Sequence, residues 1–278
     1  DRLNRLATWN LMHSSHVSKT QLLKLQAELS RKQTGVKFAA LSVIAEILKI
    51  DHALALLETQ TVYSLKTYID SLSKQTTKAV ERLRSDENFI HAVRLIDELY
   101  REGAEHPKLI KLREVVAAEL ENNKHARIII FAQFRDTITR ICEYLQPVKN
   151  AAPVAFVGQA KKRGTGLKQK EQMQILNEFD MGFYNILVAT QIGEEGLHIA
   201  ETGVVIFYEP VPSAIRLVQR MGRTARTQPG TVIILITKNT RDESYHWSSQ
   251  RKERQMKSVV TSIQERQKSL LSYKKRNQ

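Results

Sequence analysis

Two textures meet in this sequence, and together they predict an α/β protein whose parallel sheet, covered by helices on both faces, follows an all-helical domain. Up to about Tyr100 the apolar residues recur at steps of three and four, and only one glycine, Gly35, precedes Gly103. Beyond Pro107, the first proline, short apolar runs alternate with helical stretches, which is the mark of a parallel sheet with crossover helices.

In the first region Leu22, Leu25 and Leu29, and then Leu41, Ile44, Ala45 and Leu48, each line one helical face, so several helices can bury one stripe apiece. Nothing there demands a strand or a tight turn. Gly103 and Pro107 break the pattern, and a helix over Leu109–Glu121 leads onward. Strands are expected at Arg127–Phe131, Val154–Val157, Asn185–Ala189, Gly203–Phe207 and Thr231–Ile236. Helices are expected at Asp136–Leu145, Leu167–Phe179 and Ala214–Gly222, with another after Asp242. In open sheets of this kind, ligand-binding groups collect in the loops beyond the carboxyl ends of the strands. From Ser249 the chain is polar and basic and reads as a fraying surface helix rather than a dedicated nucleic-acid arm. The expected division is 1–105 all-helical, 106–245 parallel sheet and 246–278 basic tail.

A content of 42% hydrophobic residues supplies a real core, and no apolar run reaches membrane-spanning length, so no membrane partner is expected. The single cysteine, Cys142, excludes an internal disulfide framework and any multi-cysteine zinc site, and no metal-ligand cluster is expected. The chain opens on Asp1 rather than Met, which reads as a piece of a longer protein. A net charge of +14 favours a polyanionic partner, since neutralising phosphates releases counterions. Charge alone names no partner.

The strongest motif is Gln219-Arg220-Met221-Gly222-Arg223-Thr224-Ala225-Arg226. Arg223 and Arg226 are three apart, so on a helical turn they project from one face. Two guanidinium groups aimed together form a permanently charged fork suited to phosphate oxygens, and Gly222 leaves the backbone beside them uncrowded. A second motif, Ala189-Thr190-Gln191-Ile192-Gly193-Glu194-Glu195-Gly196-Leu197-His198-Ile199, directly follows an apolar strand. Gly193 and Gly196 permit close backbone approach, and Thr190 offers a hydroxyl and an amide to a phosphate. Gln133 and Arg135 stand just past the strand Ile128–Phe131, where buried β-structure is the plain reading of the apolar run itself. Gly158, Gln159 and Ala160 end the next strand and lead to Lys161, Lys162 and Arg163.

These motifs resemble those of superfamily 2 helicases, with Gln219–Arg226 similar to motif VI, Thr190–Ile199 to motif V and Gln133–Arg135 to motif IV. Phe156–Ala160 with its basic sequel is similar to what Hef and FANCM proteins carry, and also to Dicer and RIG-I-type relatives. The turn Tyr208-Glu209-Pro210 within Phe207–Arg216 narrows the resemblance to Hef and FANCM, whose second motor domain residues 127–237 fit. The resemblance implies a RecA-like three-layer parallel sheet preceded by a helical, thumb-like insertion domain. It implies ATP and Mg2+ as cofactors, bound mainly by the protein's own N-terminal motor domain. It makes Arg223 and Arg226 the catalytic, phosphate-contacting arginines, Arg226 the arginine finger, with Gln219 and Gly196 at the nucleotide. It gives Thr190, Gln133, Arg135, Gly158, Gln159, Lys161 and Lys162 to the nucleic-acid backbone.

Two positions depart from the family pattern. Ala225 replaces a common glycine, and His198 stands where an Asp usually contributes to the nucleotide side; His198 is assigned no catalytic task. No G-x-x-x-x-G-K-[ST] occurs, since Gly164-Thr165-Gly166-Leu167-Lys168 fails in spacing and final hydroxyl, and no strand ends in an Asp-Glu pair suited to magnesium. The chain by itself is therefore expected not to turn over ATP.

The reading that follows is one half of an ATP-driven DNA helicase or translocase on forked or branched DNA, in replication-fork repair. It would work in the cytoplasm at the nucleoid if archaeal and in the nucleus otherwise. Duplex RNA as substrate, as in the Dicer and RIG-I-like relatives, and a non-enzymatic nucleic-acid scaffold stay open as alternatives. No replication-clamp or nuclease partner is named by the residues. In the helical region Lys74, Lys78, Arg82 and Arg84 are candidates for backbone contact, most of them expected to be solvated face.

Overall fold

The computed structural model describes residues 2–9, 11, 17–31, 35–158, 167–190, 203–210, 231–248 and 250–251. The chain forms two compact units, residues 1–110 and 111–278.

The first unit is a bundle of helices α1 (Arg2–Thr8), α2 (Lys19–Arg31), α3 (Lys37–Thr59), α4 (Val62–Ser73), α5 (Lys78–Arg84) and α6 (Glu87–Arg101). The long α3 is its axis, packing against α1, α2, α4 and α5. The three- and four-residue spacing puts Leu22 and Leu29 of α2 onto Ala40, Val43 and Ile44 of α3, with Leu6 of α1 closing one buried cluster. Helix starts are fixed by side-chain caps: Thr61 Oγ1 accepts from Ser64 N at 3.0 Å, and Asp86 Oδ1 from Phe89 N at 3.0 Å. The Phe89 amide, followed by Arg2, holds the Asp86 carboxyl below the usual carboxylate range.

One carboxylate sits inside this bundle. Glu46, on α3, is buried and receives Arg2 Nε at 3.0 Å and Arg82 Nη1 at 3.2 Å, so α1, α3 and α5 are tied by one charge cluster. A buried carboxylate is tolerated only when such partners repay its desolvation.

Helix α6 stops in a glycine-dependent cap. Gly103 takes φ +67°, its amide donates to Tyr100 O, and Ala104 N donates to Leu99 O. This is the closing geometry that a left-handed residue makes and a side chain resists. Helix α7 (Pro107–Asn122) starts two residues before the expected Leu109, because Pro107 has the φ required at a first helical position and needs no amide partner there.

In the second unit five strands pair in parallel, in the order β2-β3-β1-β4-β5. They are β1 (Ile128–Phe131), β2 (Pro153–Phe156), β3 (Ile186–Ala189), β4 (Val204–Phe207) and β5 (Thr231–Ile234), with α8 (Arg135–Leu145) and α9 (Gln169–Asp180) between them. The three central strands are buried on both faces, as their unbroken apolar runs require. Ile129, Phe131, Leu187, Ala189, Val205 and Phe207 point to the face where Phe179 of α9 packs. Ile128, Ile130, Ile186, Val188, Val204 and Ile206, of opposite parity, are buried on the other face. The chain moves outward from β1 to β2 and back inward to β3, so right-handed crossovers put α8 and α9 on opposite faces.

Each expected strand is present, with ends that differ by one or two residues. The run expected to Ile236 stops at Ile234: Leu235 N still donates to Phe207 O, but Thr237 N is taken by Asp242 Oδ2 at 3.0 Å. Helix α9 starts at Gln169 rather than Leu167 because Glu171 Oε2 caps the Lys168 amide at 2.6 Å. Residues 241–248 are helical, close to the expected start after Asp242. The helix expected at Ala214–Gly222 and most of the tail from Ser249 lie outside the described residues.

Candidate functional site

Because all five strands are parallel, their carboxyl ends share one edge of the sheet. The register aligns Phe131 with Ala189 and Phe207, and Phe156 with Ala189. Pairing continues one step further: Ala132 N donates to Ala189 O, Thr190 N to Phe156 O and Tyr208 N to Phe131 O. Gly158, Thr190, Gln133 and Glu209 therefore leave β2, β3, β1 and β4 at nearly one level, where site loops are built in such sheets.

Gln133 presents an exposed side chain, while its backbone amide is committed inward. It donates to Glu209 Oε2 at 3.1 Å and Oε1 at 3.4 Å. Glu209 is only 6% exposed although its side chain can carry a charge. Phe131 and Phe207, two residues earlier on each strand, stack at 5.3 Å, so the amide–carboxylate contact continues a pair of aromatic neighbours.

Arg135, at the start of α8, is half-buried and sends Nη2 to Gly158 O at 2.6 Å. That side chain reaches from the β1 loop past the end of β3 to the β2 loop, two strands away. The neighbouring Val157 carbonyl accepts from Gln172 Nε2 of α9 at 3.2 Å, so the end of β2 is held from both faces. Thr190 is half-buried, and its amide is paired with the Phe156 carbonyl. Cys142 on α8 belongs to the packing: burial pushes its thiol up to about 12.

Of the residues expected at the site, Gln133, Arg135, Gly158 and Thr190 come together on this edge. Gln159, Lys161, Lys162, Gly196, Gln219, Arg223 and Arg226 lie outside the described residues, as does His198. The segment 191–202 follows Thr190, and 211–230 follows Pro210, three residues beyond β4. Glu209 was not among the expected site residues; its signal is an acid placed directly after the fully apolar run Val204–Phe207. Among the described residues no group of three or more His, Cys, Asp or Glu could hold a metal ion. None of the described helices is long and apolar enough to cross a membrane.

In the first unit, Arg82 is committed to Glu46 and to Ser42 Oγ at 3.3 Å, and Arg84 donates to the Ser73 carbonyl. Lys74 and Lys78 are exposed.

Comparison with known proteins places this arrangement. Residues 107–228 match the family "Helicase conserved C-terminal domain", and residues 1–101 match the helical bundle family described by the words "ATP-dependent RNA helicase, helical bundle". The Pyrococcus furiosus Hef helicase domain, a crystal structure, is similar over 90% of this chain and 52% of its own, at TM-score 0.74 and 40% identity. A Methanocaldococcus jannaschii protein whose name assigns it to the ATP-dependent RNA helicases is 40% identical over 264 residues, 95% of this chain and 33% of its own length. The ATP-dependent DNA helicase mph1 of Neurospora crassa is 30% identical over 76% of this chain and 19% of its own length. The Fanconi anemia group M protein homolog of Mus musculus is 38% identical over 55% of this chain. The fold and its edge are those of a helicase C-terminal, RecA-like domain preceded by a helical bundle. The chain belongs to the Hef and FANCM-like helicases of superfamily 2. It spans a third or less of the length of these curated relatives.

Proposed function

We propose that this chain supplies the second motor half of an ATP-driven translocase acting on forked or branched DNA in replication-fork repair. The observation that carries the reading is the common level of Gly158, Thr190 and Gln133 at the carboxyl edge of one parallel sheet, with the arginine-bearing segment following β4. Residues 1–105 act as a thumb-like insertion, 106–245 as the motor domain and 246–278 as a basic tail.

ATP and Mg2+, supplied mainly from another motor domain, provide the phosphoryl-transfer chemistry. This chain's part is positional and electrostatic. Arg223 and Arg226 meet the phosphates, Arg226 stabilising the charge that develops on the transferring group, with Gln219 and Gly196 shaping the nucleotide edge. Thr190, Gln133, Gly158 and Gln159 contact one strand's phosphates, Lys161 and Lys162 add long-range attraction, and Arg135 braces the loops that carry them. Lacking a phosphate-binding loop of its own, the isolated chain turns over no ATP. In the cell it works where DNA is, at the nucleoid or in the nucleus.

A second reading, duplex RNA as substrate, is favoured by the names of the Methanocaldococcus relative and of the matching helical bundle family. The Tyr208-Glu209-Pro210 turn and the mph1 name favour DNA. Competition binding with forked DNA, duplex RNA and single strands separates the two. Forked DNA displacing the others at lower concentration supports the proposal, and preference for duplex RNA overturns it.

A further inference from the structure

We infer that Glu209 is a positioning residue of the nucleic-acid grip: its buried carboxylate, by accepting from the Gln133 amide, fixes the loop after β1 to the strand that leads into the arginine-bearing segment. The inference rests on the proposed function, because it concerns how the grip on phosphates is held.

An acid at this edge calls for a reason. A carboxylate facing a bound phosphate would repel it, and an ionised carboxylate withdrawn from water costs free energy unless it is hydrogen-bonded. Glu209 is withdrawn, and the Gln133 amide meets both of its oxygens at 3.1 and 3.4 Å. The carboxylate is thus engaged by the backbone of a neighbouring loop. The contact lies in register, two residues beyond the paired Phe131 and Phe207, so it extends the sheet by a side chain where the main-chain ladder has ended.

Two functional segments meet at this contact. On one side the Gln133 amide begins the loop that runs to Arg135, whose guanidinium in turn holds the Gly158 carbonyl. On the other, Glu209 and Pro210 immediately precede residues 211–230, which carry Gln219, Arg223 and Arg226. One carboxylate therefore sets the relative position of the phosphate-gripping loops and the root of the nucleotide segment. Loss of the acceptor frees the Gln133 loop to sample other conformations and weakens binding without removing any group that touches nucleic acid.

The test compares wild type, Glu209→Ala and Glu209→Gln in the whole chain, with forked DNA and duplex RNA each titrated across a salt series. Glu209→Gln keeps an acceptor oxygen at the same reach; Glu209→Ala does not. For whichever nucleic acid wild type prefers, Glu209→Ala is expected to bind about tenfold more weakly. Its log K against log salt slope is expected to stay unchanged, because the loop that Glu209 holds grips with neutral groups. Glu209→Gln is expected to stay within about threefold of wild type. Hydrogen exchange at the Gln133 amide is expected to speed up in Glu209→Ala and stay slow in Glu209→Gln, with the amides of β1 and β4 unchanged.

Equal binding by wild type and Glu209→Ala overturns the inference while leaving the proposed function standing. A Glu209→Gln variant as weak as Glu209→Ala also overturns it, because the acceptor would then not be what matters. If Glu209→Ala does not fold, Glu209→Gln carries the test alone: a fast Gln133 amide or a loss beyond threefold overturns the inference. Wild type binding neither nucleic acid defeats the proposed function instead.

Discussion

The main-chain amide of Gln133 donates to the buried carboxylate of Glu209, joining the ends of two neighbouring parallel strands after their backbone pairing has finished. The Gln133 side chain is left pointing outward, so the backbone and side chain of one residue have separable tasks. Gln133→Ala keeps the amide and the Glu209 contact. Its melting temperature should match wild type within about 1 °C, since exposed substitutions change stability little. Affinity for nucleic acid should fall by about twofold to tenfold, one side-chain hydrogen bond being lost. Calorimetry and a binding titration on the same samples check this.

Arg135 has a different balance. Its guanidinium is engaged with the Gly158 carbonyl and half-buried, so Arg135→Ala should destabilise the second unit by about 1.5–3 kcal/mol, the range for a hydrogen bond from a charged donor. Urea unfolding followed by circular dichroism measures it. Arg135→Lys should recover only part of this, because an ammonium on a flexible stem lacks the planar fork of the native side chain.

In the helical unit, Glu46 takes two arginines and one should partly cover for the other. Arg2→Ala or Arg82→Ala alone is expected to cost about 1 kcal/mol, and the pair together about 3–5 kcal/mol, more than the sum of the two, since only then is the carboxylate buried without a counter-charge. A double-mutant cycle by denaturant unfolding reads the coupling. Additive losses would mean that the cluster does not act as a unit.

Asp86 gives a pH dependence of known sign. The Phe89 amide, then Arg2, depresses its folded-state ionisation, so the ionised form contributes stability that is complete above the unfolded carboxylate value of about 4. That stability is lost as pH falls through the lower folded value. The difference in unfolding free energy between wild type and Asp86→Ala should therefore be constant from pH 7 to about 5 and shrink below about 4.

Cys142 should be a poor nucleophile in the folded protein, because burial pushes its thiol up to about 12 and the thiolate is the reactive form. Alkylation at pH 8 should be slow in buffer and ordinary in denaturant. Equal rates in both would contradict the packing of α8 against the sheet.

Much of this architecture was legible from the residues. The doubled apolar runs Ile128–Phe131, Ile186–Ala189 and Val204–Phe207 could only be central parallel strands, because no polar alternation gives them a wet face. The three-and-four spacing of Leu22, Leu25 and Leu29 made α2 equally plain. Ends were less legible, since they depend on who captures an amide: Asp242 ends β5 by taking Thr237 N, and Glu171 delays α9 by capping Lys168. The inward tasks of Arg135 and Glu209 were not legible for a related reason. A charged residue in a loop reads as a surface group until strand order shows that Gly158 lies two strands away and Gln133 lies next door.

In the proposed function, arginines following β4 complete a nucleotide pocket shared with another motor domain. Arg226→Ala in the full-length protein, assayed for DNA-stimulated ATP turnover and fork binding on the same preparation, tests it most directly. Turnover should fall about a thousandfold or more, the scale of a lost arginine finger, with binding within about twofold. Unchanged turnover, or parallel loss of both, would contradict the account.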